Sequence, residues 1–260
     1  MNISFDSSWE LQPVEQATVR EVSKRHHIDL LTATILVRRG ISSSSQVGSF
    51  LTRAADTHDC SSVRITGMEE AAERLGRCRG ERVFVFGDSR VDGIAAVAIV
   101  VDLLHLIGAR VEWKIPAVGQ YGLRSSDFDV ASRSGASLII CLSCSLGSNE
   151  LKKSSGADID VIVVDRRRPV NHLPKGLILL NSELSDRESI ERLTAGVVAL
   201  KLFQAVDISP VDDSHCGEGM VNPPYDLAAI STLADRMPLI GEYRRVVTLG
   251  LETMARTRRI

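Results

Sequence analysis

The chain has 260 residues, and its 31 Lys and Arg against 33 Asp and Glu leave a formal charge of −2. Its apolar fraction of 44% and charged fraction of 25% exclude a disordered chain and suit one large domain or two small ones. A balance this neutral gives no whole-molecule field for nucleic acid or an acidic membrane, and 4% aromatics exclude a broad base-stacking surface.

Residues 1 to about 80 read as a mainly helical segment. Thr18 to Val37 carries apolar residues at three- and four-residue spacing, and Arg39-Gly40 breaks the pattern. Ile41 to Ser45 reads as a turn and helix cap, and a linker over about 56–65 leads to a helix from Met68 to Cys78. The character changes near 82. Val83-Phe84-Val85-Phe86 is a short apolar run, and a long apolar helix from about Ile94 to Ile107 ends at Gly108. Val111–Ile115, Ser137–Leu142, Val161–Val164 and Leu177–Leu180 are further strand candidates. Helical patterns over about 187–206, 226–236 and 242–256 close the chain. Continuous apolar strands alternating with helices predict an α/β fold, a doubly wound and mainly parallel sheet over 81–260.

No run of 18 apolar residues is present, so no membrane span or membrane partner is expected. Met1 to Glu10 has no basic segment followed by an apolar one, which predicts no signal peptide. The five scattered cysteines, Cys60, Cys78, Cys141, Cys144 and Cys216, favour a reducing compartment, hence a cytoplasmic protein. Cys141 to Cys144 forms a CxxC, but it has no second pair and begins inside a strand, so a structural role is expected. His26-His27 lacks nearby carboxylates at metal-site spacing, His215-Cys216 is a single pair in a polar loop, and Arg124 reads as a solvated side chain rather than one facing the cleft.

In open α/β sheets the working residues follow the carboxyl ends of strands. Three such ends read Gly87-Asp88-Ser89-Arg90-Val91-Asp92-Gly93, Ser143-Cys144-Ser145 and Asp165-Arg166-Arg167-Arg168-Pro169. A fourth segment, Asp226-Leu227-Ala228-Ala229-Ile230-Ser231-Thr232-Leu233-Ala234-Asp235, precedes Pro238-Leu239 and Glu242-Tyr243-Arg244. Together these resemble, in order, the four motifs of the DHH phosphoesterase superfamily, and within it the RecJ-type single-strand-specific exonucleases. Trp9, Arg39-Gly40, Gly67-Met68, Ile115-Pro116, Tyr121-Gly122-Leu123 and Leu193 to Ala205 extend the resemblance over nearly the whole chain.

The resemblance implies a two-metal phosphodiester hydrolase that uses Mg²⁺ or Mn²⁺. Its six ligand positions, four Asp and two His, fall here on Arg90, Asp92, Ser143, Arg166, Arg167 and Asp226. Four of the six cannot ligate, and their summed charge is +1 where the family pattern carries −4. Like charges about 4 Å apart cost on the order of 4 kcal/mol at a surface-like dielectric, so each arginine also repels an ion. A degenerate site without catalytic residues or bound metal is therefore expected, with Asp92 and Asp226 the remaining candidates for a single ion. Two readings of the arginines stay open. Arg90, Arg166 and Arg167 could pair with Asp88, Asp92, Asp165 and Asp226, guanidinium replacing metal between strand ends. Or Arg90, Arg166, Arg167 and Arg168, with Gly93 opening a helix, could bind a phosphate, and Asp88, Asp165 and Asp235 would support them.

By resemblance the family continues into a second cleft domain and an OB-fold, which are not expected here. The function expected is a non-hydrolysing relative that binds single-stranded DNA or another nucleic-acid phosphate, or a replication or repair protein. The alternative is a metal-dependent exonuclease with residual activity or completed by another chain.

Overall fold

The computed structural model describes residues 11, 13–52, 65–118, 122–144, 159–165, 176–181, 193–206 and 222–257. The chain divides into two compact units, Met1–Thr57 and His58–Ile260.

The first unit contains α1 (Gln16–His26), α2 (Leu30–Arg38) and α3 (Ser44–Leu51). The continuous pattern over 18–37 becomes two helices rather than one. His27 closes α1 in the left-handed region at φ 54, and Asp29 opens α2 by accepting from Thr32 N–H at 2.9 Å. A polar cap supplied between two apolar turns overrides their shared periodicity. The predicted cap after residue 41 forms as a capping box, with Ser43 and Gln46 exchanging side-chain to backbone bonds. Val19, Val22, Ala33, Leu36 and Val47 make the small core.

The second unit holds α4 (Met68–Gly76), β1 (Arg82–Gly87), α5 (Val91–Ile107), β2 (Arg110–Lys114), α6 (Ser125–Arg133), β3 (Leu138–Leu142), β4 (Asp160–Val164) and β5 (Leu177–Leu180). It closes with α7 (Ala195–Ala205), α8 (Tyr225–Ala234) and α9 (Gly241–Met254). The helix at 68–76, grouped in sequence with the N-terminal segment, packs Ala71 and Leu75 into the sheet core of this unit. The helix α6 has no counterpart among the sequence expectations. The part of the 187–206 pattern before Leu193 lies outside the described residues.

Among the described residues the five strands pair in parallel, in the order β2-β1-β3-β4-β5, and Thr66 makes an isolated antiparallel bridge to Asn181. Helices cover both faces, as the continuous apolar strands predict. Val83, Val85, Leu138, Ile140 and Ile162 pack with α4, α5 and α7, while Phe84, Phe86, Ile139, Val161 and Val163 pack with Phe128 and Ala131 of α6. Each such fully buried aliphatic side chain contributes about 2 kcal/mol. Order reverses between β1 and β3, so a crevice opens outside their carboxyl ends. Among the described residues no helix is long and apolar enough to cross a membrane.

Candidate functional site

The crevice at the switch point is built from the loop after β1, the start of α5 and the loop after β3. Asp88 leaves β1 with its N–H donating to Leu142 O at 3.2 Å, which ties it to β3. Gly93 then lies so near this loop that a Cβ would stand 2.4 Å from Asp88 O and 2.8 Å from Asp88 Cβ. Only glycine lets α5 begin directly against the strand end.

Arg90 caps the start of α5 and turns back on Asp88. Its Nε donates to Asp88 Oδ2 at 2.5 Å, and its Nη2 donates to Ser143 Oγ across the crevice at 3.4 Å. Its side chain is half exposed, whereas that of Asp88 is only 6% exposed. The hydrogen bond to Asp88 raises the Arg90 pKa above its ordinary value against an opposing effect of burial, and the charges of Asp88, Asp235 and Asp92 add to the rise. The guanidinium therefore sits among carboxylates and stays charged.

Asp92 is fully buried and surrounded by donors. Oδ1 accepts from Gly196 N–H at 2.9 Å and Ser231 Oγ at 2.7 Å. Oδ2 accepts from Ala195 N–H at 3.2 Å and Ser143 Oγ at 3.1 Å. Two of these donors are free N–H groups at the positive end of α7, which favours a carboxylate there. Thr194 completes the arrangement. Its Oγ1 accepts from Val197 N–H as the cap of α7 and lies 2.9 Å from Ser231 Oγ. The Ser231 hydroxyl proton is shared between Asp92 Oδ1 at 2.7 Å and Thr194 Oγ1 at 2.9 Å. Close approach of α7 to α8 again needs glycine, since a Cβ on Gly196 would meet Ser231 Oγ at 2.5 Å.

Ser143 adopts φ 56, a left-handed conformation uncommon outside glycine. That geometry points its hydroxyl at both Asp92 and Arg90. The chain of contacts thus runs from Asp88 through Arg90 and Ser143 to Asp92 and the N-terminus of α7.

Other expected site residues are placed differently. Asp226 is 4% exposed and opens α8, five residues before Ser231, or about 7.5 Å along the helix axis. It lines a cleft of about 360 Å³ with Tyr225, Glu252, Thr253 and Arg256. Asp235, at the far end of α8, adds its charge to those of Asp88 and Asp92 acting on Arg90. Asp165 follows β4, with its N–H 3.4 Å from Leu180 O. Arg166, Arg167 and Arg168 lie outside the described residues, as do Cys60, His215 and Cys216. Among the described residues no group of three or more His, Cys, Asp and Glu is disposed to hold a metal ion. Cys141 and Cys144 are buried, and their mutual hydrogen bond and burial push the Cys144 thiol well above its ordinary pKa, so it is neither a thiolate nucleophile nor a ready ligand. The sequence reading did not include Thr194, Ser231 and Gly196. All three stand in segments that carry the resemblance, but only packing brings them to Asp92.

Fold and crevice define an open, doubly wound α/β protein with its polar side chains gathered at the switch point. No family model matches the chain. It is 32% identical over 259 residues to the single-stranded-DNA-specific exonuclease RecJ of Bacillus subtilis (strain 168), covering 97% of this chain and 31% of that protein. The protein of the same name from Salmonella typhimurium is 30% identical over 200 residues, covering 72% of this chain and 35% of the relative. Among solved structures, RecJ from Thermus thermophilus in complex with Mn²⁺ superposes with a TM-score of 0.70 at 26% identity, over 95% of this chain and 35% of that one. An exonuclease RecJ bound to manganese gives a TM-score of 0.60 at 29% identity, over 73% and 48% respectively. The chain is a RecJ-like member of the DHH superfamily. It spans about a third of the length of the curated relatives it matches.

Proposed function

We propose that this chain is a non-hydrolysing RecJ-like protein that binds single-stranded nucleic acid through its strand-end arginines. The observation that supports it most directly is the state of Asp92. A metal-binding carboxylate needs lone pairs turned towards the ion, yet both oxygens of Asp92 already accept two protein hydrogen bonds each. The neighbouring position of the same motif carries the Arg90 guanidinium, which has no lone pair to offer and repels a cation. Ser143 donates its proton to Asp92 and accepts from Arg90, which commits the third position as well. This donor set does not fit a two-metal centre. Guanidinium and the α7 N-terminus supply the positive charge that ions would otherwise bring to Asp88 and Asp92.

Nucleic-acid phosphate is the ligand this proposal favours. Half of the Arg90 side chain is exposed where it bridges Asp88 and Ser143, and Arg166, Arg167 and Arg168 follow β4 in the chain. Guanidinium forks suit phosphate oxygens, and the RecJ relatives are exonucleases specific for single-stranded DNA. The same non-hydrolysing reading admits a replication or repair protein as a further partner.

Incubation with 5′-labelled single-stranded DNA and Mn²⁺ is expected to leave the label intact while the DNA is retarded in a binding assay. Changing Arg166 and Arg167 to Glu should weaken binding and reduce the slope of log K against log salt by about 2. Turnover in Mn²⁺ that Asp92→Ala abolishes would overturn the proposal in favour of a metal-dependent exonuclease.

A further inference from the structure

The edge of the sheet at β2, one strand over from the Arg90 crevice, offers a second surface. Among the described residues β2 pairs only with β1. Four of its five residues are exposed, including Trp113 at 60%. An edge strand with a solvent-facing tryptophan is an unfinished surface.

The backbone direction of each residue follows from one hydrogen bond. Arg110 N–H donates inward to Glu81 O at 2.8 Å. Residues along a parallel strand alternate in the side to which they turn their N–H and C=O. Glu112 and Lys114 therefore also bond inward to β1, while Val111 and Trp113 present theirs at the open edge. Side chains alternate as well. Trp113 is in register with Val85, on the face covered by α5, and Glu112 and Lys114 project from the other face.

We propose that a second copy of this chain pairs with β2 in antiparallel fashion across a dyad at Trp113. Only pairings that join outward-facing residues can form the new hydrogen bonds. A dyad at Glu112 would join Val111 to Trp113, but it sets Glu112 against Glu112 and Arg110 against Lys114. Like charges directly opposite are destabilising. Lys114 already donates to Asp127 of its own α6, and moving the dyad to Trp113 sets Glu112 of the second copy against the same ammonium, twice by symmetry, so that it would serve both carboxylates. It also places the two Trp113 rings side by side and Val111 opposite Ile115. Pro116 then meets Arg110 at a pair whose N–H groups face inward, so its missing donor costs nothing. The alternation Arg110-Val111-Glu112-Trp113-Lys114 is thus self-complementary in this register. Arg82, 4.0 Å from Glu112 in the same chain, extends the charged row without opposing it. The product would be one continuous sheet running through two copies of the chain.

Light scattering on the full chain at about 100 µM should show twice the monomer mass, a loading suited to a small edge interface. Glu112→Lys turns both attractive pairs repulsive and should weaken association at least roughly ten-fold, with an unchanged circular dichroism spectrum. Register is read by oxidation. Residues of a hydrogen-bonded antiparallel pair have Cα atoms about 5.5 Å apart, the separation a disulfide spans. Trp113→Cys should therefore form a covalent dimer under mild oxidant, whereas Glu112→Cys and the unaltered chain should not. A monomer at about 100 µM with no Trp113→Cys cross-link would overturn the pairing, and equal cross-linking of Glu112→Cys would overturn its register.

Discussion

Asp92 is a buried carboxylate whose surroundings meet its charge with hydrogen-bond donors. A buried carboxylate is tolerated only when its charge is met by donors. Here four donors from three separate segments meet it. Ser231 supplies the shortest of these bonds at 2.7 Å, so Ser231→Ala should cost about 1–3 kcal/mol by leaving a buried charge short of one partner. Urea unfolding would read this as a lower midpoint at unchanged slope. Gly196→Ala should be worse, because its new methyl group must displace Ser231 and withdraw the α7 N–H groups from the carboxylate. Unaltered stability in both variants would show that the buried network does not hold the crevice together.

At the scale of elements, ion pairs fasten helices to the sheet and to one another. Lys201 of α7 and Glu242 of α9 lie 2.9 Å apart with side chains 8% and 7% exposed, and Arg245 approaches the same Glu242 oxygen at 3.9 Å. Lys201→Met should destabilise by about 3–5 kcal/mol, reduced by whatever Arg245 recovers, because it strands a buried carboxylate. Thermal unfolding would measure the loss, and the double variant Lys201→Met with Glu242→Leu should regain much of it. Arg74 of α4 makes a second tie, donating to Asp160 at 2.6 Å and to Glu81 at 2.9 Å. Burial raises the Glu81 pKa, but hydrogen bonds from Ser137 and Arg74 and the charge of Arg74 outweigh it and leave the group below its ordinary value. A depressed carboxylate stabilises the fold above the unfolded-state pKa of about 4.3, and that contribution is lost as pH falls through the folded value. Acid unfolding should therefore be less steep in Glu81→Gln than in the parent, and coincident profiles would rule this tie out as a source of acid sensitivity.

For the whole molecule, the charge of −2 conceals a strong local arrangement. The proposed function predicts a global consequence of the altered strand ends. An ion that binds only the folded state stabilises it by an amount that grows with its concentration over Kd, about 2.7 kcal/mol at a hundred-fold excess. Addition of ~1 mM Mn²⁺ should leave Tm unchanged here. A rise of several degrees that Asp92→Asn removes would show a metal bound at the switch point and refute the guanidinium replacement. The relatives are about three times as long as this chain, so the same titration on a complete RecJ serves as the positive control.

Much of the architecture was legible because parallel strands buried on both faces must be continuously apolar, and four such runs stand out between 83 and 180. The strand-end motifs then located Arg90, Asp92, Gly93 and Ser143 as neighbours, and that a guanidinium at Arg90 offers no ligating lone pair needs no coordinates to recognise. Other features were hidden for physical reasons. The division between α1 and α2 depends on a left-handed His27 and an Asp29 cap, local hydrogen-bonding choices that apolar spacing does not record. The helix α6 has a short apolar face held by Phe128 and Ala131, too little for periodicity to reveal. Which acid of α8 acts on Arg90, Asp226 or Asp235, is set by how that helix lies across α5.

The sequence by itself determined the fold class and the chemistry available at the strand ends, since hydrophobic pattern and residue type are properties of the chain. Only the tertiary structure decided what the carboxylates do. Packing brings the α7 N-terminus and Ser231 onto Asp92 from more than a hundred residues away, and in the proposed function their protons occupy the lone pairs that a cation would need.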